Sequence, residues 1–229
     1  MGDKKQKEAM IKRAKQVLVV GACVLFVILM ILSGMGSGWL NMFTIVKPGD
    51  TVIVDYTFYD ATGNPLLTTN QQVYVQAASK GKTIVYGRQL SMKAGQNLTR
   101  SLYPVNIYSS DSGWTGQFAL FSTEYNAIGQ MLTGMKTGDQ KQIRIPNGSL
   151  QQEWPKEQLE RKNVTMDELR EGDILAMGVS DNPDEMVTNS SSIIYTRLGV
   201  ITSKTADSVI VDSGFPSVDI SITAINPKS

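Results

Sequence analysis

The chain has 229 residues, 41% hydrophobic and 19% charged, enough to bury a real core as one large or two small domains and too apolar for intrinsic disorder. Net charge is +1, but six of the 22 basic residues and two of the 21 acidic ones precede residue 17, so the remainder is slightly acidic, which argues against nucleic acid as a partner. There is no His and a single cysteine, Cys23, which removes the commonest general base, the usual zinc ligands and any internal disulfide, and no cofactor is expected.

Residues 1–16 read as a basic cytoplasmic tail. The stretch "VLVVGACVLFVILMIL" (17–32) is uncharged, and the next charge is Lys47. Extended through "SGMGSGWL" it reaches the roughly 20 residues needed to cross a hydrocarbon core, with Trp39 at the interface, so a transmembrane anchor is predicted over 17–40. Basic residues on its N-terminal side keep that end in the cytoplasm and place everything beyond about residue 40 outside, as a single-pass protein of the cell membrane in contact with lipid. A cleaved signal peptide is the alternative, because "SGMGSG" offers small residues after the apolar run. Four Asn-x-Ser/Thr sequons, at Asn97, Asn147, Asn163 and Asn189, fit a glycosylated outer domain.

In "VKPGDTVIVDYTFYDATGNPLLTT" (46–69), Val52, Val54 and Tyr56 alternate with polar neighbours and Asp60 to Asn64 form a turn, predicting a hairpin. A long segment, 70–123, follows. Within it "QQVYVQA", "KTIVYG" and "GQFALFS" read as strands separated by Gly- and Ser-rich turns such as "SSDSG". Tyr125, Ile128, Met131, Leu132 and Met135 then recur at helical spacing, so a short amphipathic helix is expected to lay that face on a sheet. Gly138-Asp139 breaks the pattern, and Lys141 to Ile145 alternate as a strand closed by Pro146.

The order Gly49-Asp50, Val52, Val54, Tyr56-Thr57, Gly63, Thr68-Thr69, then Gly134-Met135, Gly138-Asp139 and Ile145-Pro146, resembles the FKBP-type peptidyl-prolyl isomerases. Further on, Trp154-Pro155-Lys156, Glu171-Gly172-Asp173 ahead of a strand, alternating Val209 and Val211, and a return strand from Val218 to Ile225 resemble the long, SlyD-like branch of that family. Pro155 at a first helical position and the good helix formers to Lys162 predict a short helix there.

The resemblance implies an α+β fold: an FKBP-like antiparallel half-barrel around one short helix, over 41–150 and 214–229 with the long insertion 70–123. It also implies a mainly-β insert-in-flap domain over 151–213. Between helix and sheet such proteins hold a proline in a dry, ring-walled pocket whose polar groups favour a twisted amide, lowering a barrier of about 18–20 kcal/mol without a nucleophile.

The family's hairpin tyrosine falls on Tyr56, its Phe-Asp pair on Leu66 and Leu67, its helix aromatic on Ile128, and its last-strand phenylalanine on Val218. The tyrosine after the post-helix strand falls near Gln151. Tyr125, at the helix start, can still present a backbone N–H to a carbonyl. Most of these positions are therefore substituted, and Tyr74, Tyr86, Tyr103, Tyr108, Trp114, Phe118 and Phe121 of the insertion are candidate replacement walls.

Relatives hold unfolded polypeptide on the insert, where Met177, Ile193, Ile194 and Tyr195 are possible contacts. Three readings stay open: a membrane-anchored folding factor or chaperone for polypeptide clients with isomerase activity weak or lost, a non-catalytic subunit of a membrane or cell-surface complex that binds by strand addition, and a fully active isomerase with a rebuilt pocket.

Overall fold

The computed structural model describes residues 18–21, 23–31, 44–108, 115–181 and 194–227, in two compact units, 1–43 and 44–229. In the first, residues 18–21 and 23–31 are helical, with exposed apolar side chains such as Leu18, Phe26 and Ile31. Among the described residues no helix is long and apolar enough to cross a membrane. The anchor expected over 17–40 is represented only by this shorter stretch. Its remaining positions, the tail 1–16, the "SSDSG" turn, Trp39, Trp114, Ile193 and the sequon at Asn189 lie outside the described residues.

The second unit is mostly sheet, curled into a half-barrel, with few helices. Its elements are β1 (Thr51–Tyr59), β2 (Pro65–Thr68), α1 (Gln71–Ser79), β3 (Val85–Gly87), β4 (Leu90–Lys93), β5 (Leu102–Tyr108), β6 (Thr115–Phe121), α2 (Ser122–Met131) and β7 (Gln140–Arg144). After them come β8 (Gln151–Pro155), α3 (Lys156–Arg161), a 3-10 turn (Met166–Glu168), β9 (Ile174–Val179), β10 (Tyr195–Lys204), β11 (Ser208–Asp212) and β12 (Ser217–Ile225). The sheet runs β7-β12-β1-β2-β3-β5-β6-β10-β11-β8, with β4 also on β1 and β9 on β10.

Alternation sets β1: Val52, Val54, Tyr56 and Phe58 are buried, while Asp55, Thr57 and Tyr59 take the other face, and β12 pairs along its whole length. The turn to β2 is built by Asp60, whose carboxylate accepts the N–H groups of Thr62 and Asn64 at 2.8 Å each. Gly63 there has φ +81°, open only to a residue without a Cβ penalty.

The segment "QQVYVQA" is helical, contrary to the strand expected from Val73, Tyr74 and Val75. Asn70 decides the matter: its side-chain oxygen accepts the N–H groups of Gln72 and Val73, satisfying donors that a helix start leaves unpaired. Helix α2 starts earlier than the apolar spacing suggests, with the Glu124 carboxylate accepting the Phe121 N–H at 2.9 Å. Tyr125, Ile128 and Leu132 point into the core, but Met131, expected on that face, is 43% exposed. Met135 lies past the helix end, buried in the turn whose carbonyl takes the Val46 N–H. Pro155, expected at the first helical position, instead ends β8 and is the N-cap residue of α3, one place before the helix begins at Lys156.

One core fills the half-barrel around α2 and draws in Val105, Ile107, Phe118 and Leu120 of the long insertion. A second core, with Trp154, Leu159, Met177, Val209 and Val211, lies within 151–213, yet Leu198 and Val200 of β10 belong to the first. The expected insert thus has its own core inside one continuous sheet.

Candidate functional site

The structure brings the positions singled out by the resemblance into one place. Tyr56, Leu66, Leu67, Tyr125, Ile128 and Val218 all belong to the main core. They offer little surface: Leu66, Leu67, Ile128 and Val218 are at most 1% exposed, Tyr56 is 2% and Tyr125 is 9%. Gln151 lies apart, exposed at the start of β8.

Tyr56 is fixed at both ends. Its backbone N–H donates to the Thr69 hydroxyl at 3.0 Å, and its phenol donates to the Arg88 carbonyl at 2.9 Å. Burial holds that phenol far above the ordinary tyrosine range, with Asp55 and Tyr103 adding to the effect, so it is a neutral donor already committed to the chain. Gly87 makes this approach feasible, since a Cβ there would come within 2.6 Å of the Tyr56 hydroxyl.

The insertion's rings fill the crevice. Phe118 stacks on Phe215 (centroids 6.1 Å apart, 15° between planes), Phe215 meets Phe58 at 5.4 Å, and Tyr103 covers Tyr125 at 4.5 Å. Burial pushes the Tyr125 phenol up to about 12.

Among these rings sits a residue that sequence reasoning passed over. Arg197, on β10, has no exposed surface. Its guanidinium lies 3.8 Å from the Phe215 ring centroid and 4.2 Å from that of Phe121. It donates to both Glu124 carboxylate oxygens, at 2.5 and 2.9 Å, and to the carbonyls of Ala119 and Ser213. Strand β6, helix α2, strand β10 and the segment after β11 are thereby tied at one point. The signal was present: a lone charge inside "YTRLGVI", otherwise apolar or small, must be partnered if the strand is buried.

An apolar cleft of about 340 Å³ stays open elsewhere, where the first hairpin turn (Ala61, Thr62) faces Val200 and Ile201 of β10, Gly172 and Gly214. The carboxylate of Asp212 at its margin is engaged by the N–H groups of Leu150 and Gly214 and by the Ser149 hydroxyl, leaving the apolar atoms as the available contact. Among the described residues β9 pairs only with β10. Of the contacts expected on the insert, Met177 and Tyr195 are buried at 8%, and Ile194 is 58% exposed.

Asn97, Asn147 and Asn163 are exposed, and the last two occupy left-handed turn positions at φ 51° and 56°. The Ser149 hydroxyl of the Asn147 sequon is held by Asp212 at 2.6 Å. Among the described residues no group of His, Cys, Asp and Glu is placed to hold a metal. No protein-family model and no curated protein matches the chain.

Proposed function

We propose that this chain is a membrane-anchored, extracytoplasmic folding factor of FKBP-like, long-branch type that binds apolar polypeptide segments and has lost prolyl isomerase activity. One observation carries the loss: the side chains at the proline-pocket positions share a closed core with Phe118 and Phe215, and the Tyr56 hydroxyl is spent on Arg88. A proline ring entering there would have to displace packed aromatic side chains, and at the position of the carboxylate that would favour a twisted amide stands Leu67. The strand order β7-β12-β1-β2, with α2 packed on its concave face, supports the resemblance on which this reading rests.

Client binding falls to the apolar cleft between the Ala61 turn and β10, with Ile194 as a further contact. It is shallow and non-directional, suited to short apolar stretches of many sequences.

The test is twofold, on the full-length protein. A protease-coupled assay with an X-Pro peptide is expected to give no turnover above the uncatalysed rate. In a second assay the protein is expected to slow aggregation of reduced, unfolded α-lactalbumin, and Ala61→Arg, a change at an exposed turn position, to abolish the effect. Turnover that vanishes in Tyr56→Phe would show that the crevice opens and sink the first half of the proposal. Equal suppression by wild type and Ala61→Arg, or none by either, would remove the second.

A further inference from the structure

The outer face of the half-barrel carries a polar groove that the folding-factor reading leaves unused. Register aligns one residue from each of six strands on this face: Gln142 on β7, Asp219 on β12, Thr57 on β1, Thr68 on β2, Tyr86 on β3 and Tyr108 on β5. Of these, Thr57 and Thr68 are buried where α1 packs against β2 and β3, so the open surface lies in the clefts around them. At about 4.8 Å per strand the row runs about 24 Å. Three clefts adjoin along this face. The first, about 350 Å³, and the second, about 580 Å³, share Asp55 and Thr69; the second and the third, about 420 Å³, share Arg88 and Tyr108.

We infer that this groove binds a neutral oligosaccharide. Its chemistry is that of sugar recognition. Side-chain amides, carboxylates and hydroxyls offer paired donors and acceptors in planar geometry, which match the adjacent hydroxyls of a pyranose. Tyrosine rings give flat apolar faces for the C–H face of the same ring.

The polar groups are held in place before any ligand arrives. The Gln89 amide donates to Asp55 at 3.0 Å and the Tyr59 hydroxyl donates to Asp219 at 2.9 Å, while the buried Thr57 and Thr68 hydroxyls meet at 2.7 Å beneath the surface and tie β1 to β2. Tyr86 stands between Tyr74 and Tyr108, with ring centroids 5.7 and 6.3 Å away. The side-chain amides of Gln140 and Gln142 make no hydrogen bond among the described residues, so their donors and acceptors are available.

Charge selects among ligands. The three clefts hold two carboxylates, Asp55 and Asp219, and two cations, Lys141 and Arg88, so the groove favours neither an anionic nor a cationic chain. A proline-rich peptide would need an apolar floor between its aromatic ridges, whereas the first cleft here is lined mainly by Asp, Asn, Gln, Ser and Thr residues and the second adds Arg88 and Gln89. Three adjoining clefts fit several sugar units rather than one.

This inference does not depend on the proposed folding role. It is tested on the full-length protein, extracted in a detergent without a sugar headgroup and titrated calorimetrically with cellohexaose, maltohexaose and chitohexaose. Saturable binding of at least one is expected. Gln142→Ala and Gln89→Ala, both at exposed positions, should each weaken it about threefold to tenfold, the effect of losing a single hydrogen-bonding group, and Tyr86→Ala should abolish it. Gln158→Ala, on α3, should leave it unchanged. The inference is overturned if none of the three sugars binds saturably, if the Gln89 and Gln142 variants bind as wild type does, or if a proline-rich or lysine-rich decapeptide occupies the groove while the sugars do not.

Discussion

Replacing Glu124 by Ala would leave the Arg197 guanidinium buried without a counter-charge. Both side chains are out of solvent, at 0% and 2% exposure, so water cannot take over the lost interaction. Arg197 would keep the Ala119 and Ser213 carbonyls and the Phe215 ring face, but these are dipoles and a quadrupole. Removing one member of such a pair costs about 3–5 kcal/mol, which for a unit of this size lowers Tm by roughly 6–20 °C. Arg197→Met, which keeps much of the volume and strands the carboxylate instead, should cost about as much.

The double variant is the informative one. Glu124→Ala with Arg197→Met removes both charges, so its loss should fall short of the summed single losses by up to about 3 kcal/mol. Thermal and urea unfolding of the full-length chain, followed by far-ultraviolet circular dichroism, gives all the values. Single variants within about 1 kcal/mol of wild type, or losses that simply add, would refute the view that this pair locks the insertion onto the half-barrel.

Asn70→Ala should cost about 1 kcal/mol through loss of the α1 cap, seen as faster amide exchange within Gln71–Ser79 than elsewhere. Gly214→Ala should destabilise by about 3 kcal/mol or more, because its Cβ would come within 2.2 Å of the Gly148 carbonyl oxygen, whereas Gly178→Ala meets only the Cγ2 methyl of the exposed Ile194, at 2.6 Å, and should cost less than Gly214→Ala in urea melts. Leu67→Asp, which puts a carboxylate where the FKBP-type isomerases that the sequence resembles carry one, should yield an unstable protein rather than an active one, since the position is fully buried; a folded variant with isomerase turnover would count against the closed crevice.

Alkaline pH should also unfold the protein. The phenols of Tyr59 and Tyr125 are pushed up to about 12 and that of Tyr56 beyond, in each case chiefly by burial. These groups stay neutral in the folded chain while the unfolded chain ionises them, so their contribution is complete below about pH 10 and lost between about pH 10 and 12. Urea midpoints measured across that interval should fall, and fall less in Tyr59→Phe.

The return strand from Val218 to Ile225 was expected from the resemblance, whereas period-two alternation at Val52, Val54 and Tyr56 was enough to identify β1 and its buried face, because side-chain direction along a strand is a local property. The turn at Asp60 to Asn64 was legible for the same reason. So was the helix face of Tyr125, Ile128 and Leu132, though not Met131, which the core leaves outside. Local preference misled at Val73 to Val75, where β-branched and aromatic residues favour a strand and one capping side chain before them favours a helix.

What no periodicity could reveal was which segment of equal hydrophobicity would occupy the crevice, or that Thr57 would stand beside both Asp219 and Thr68. The aromatic residues of 102–121 suited either lining a pocket or filling it. Close packing across long sequence separations settled it, with the Arg197–Glu124 pair bridging 73 residues. Tertiary structure alone decided the closed crevice and the outer groove, because both are set by which side chains exclude water from one another, and that is a property of neighbours in space.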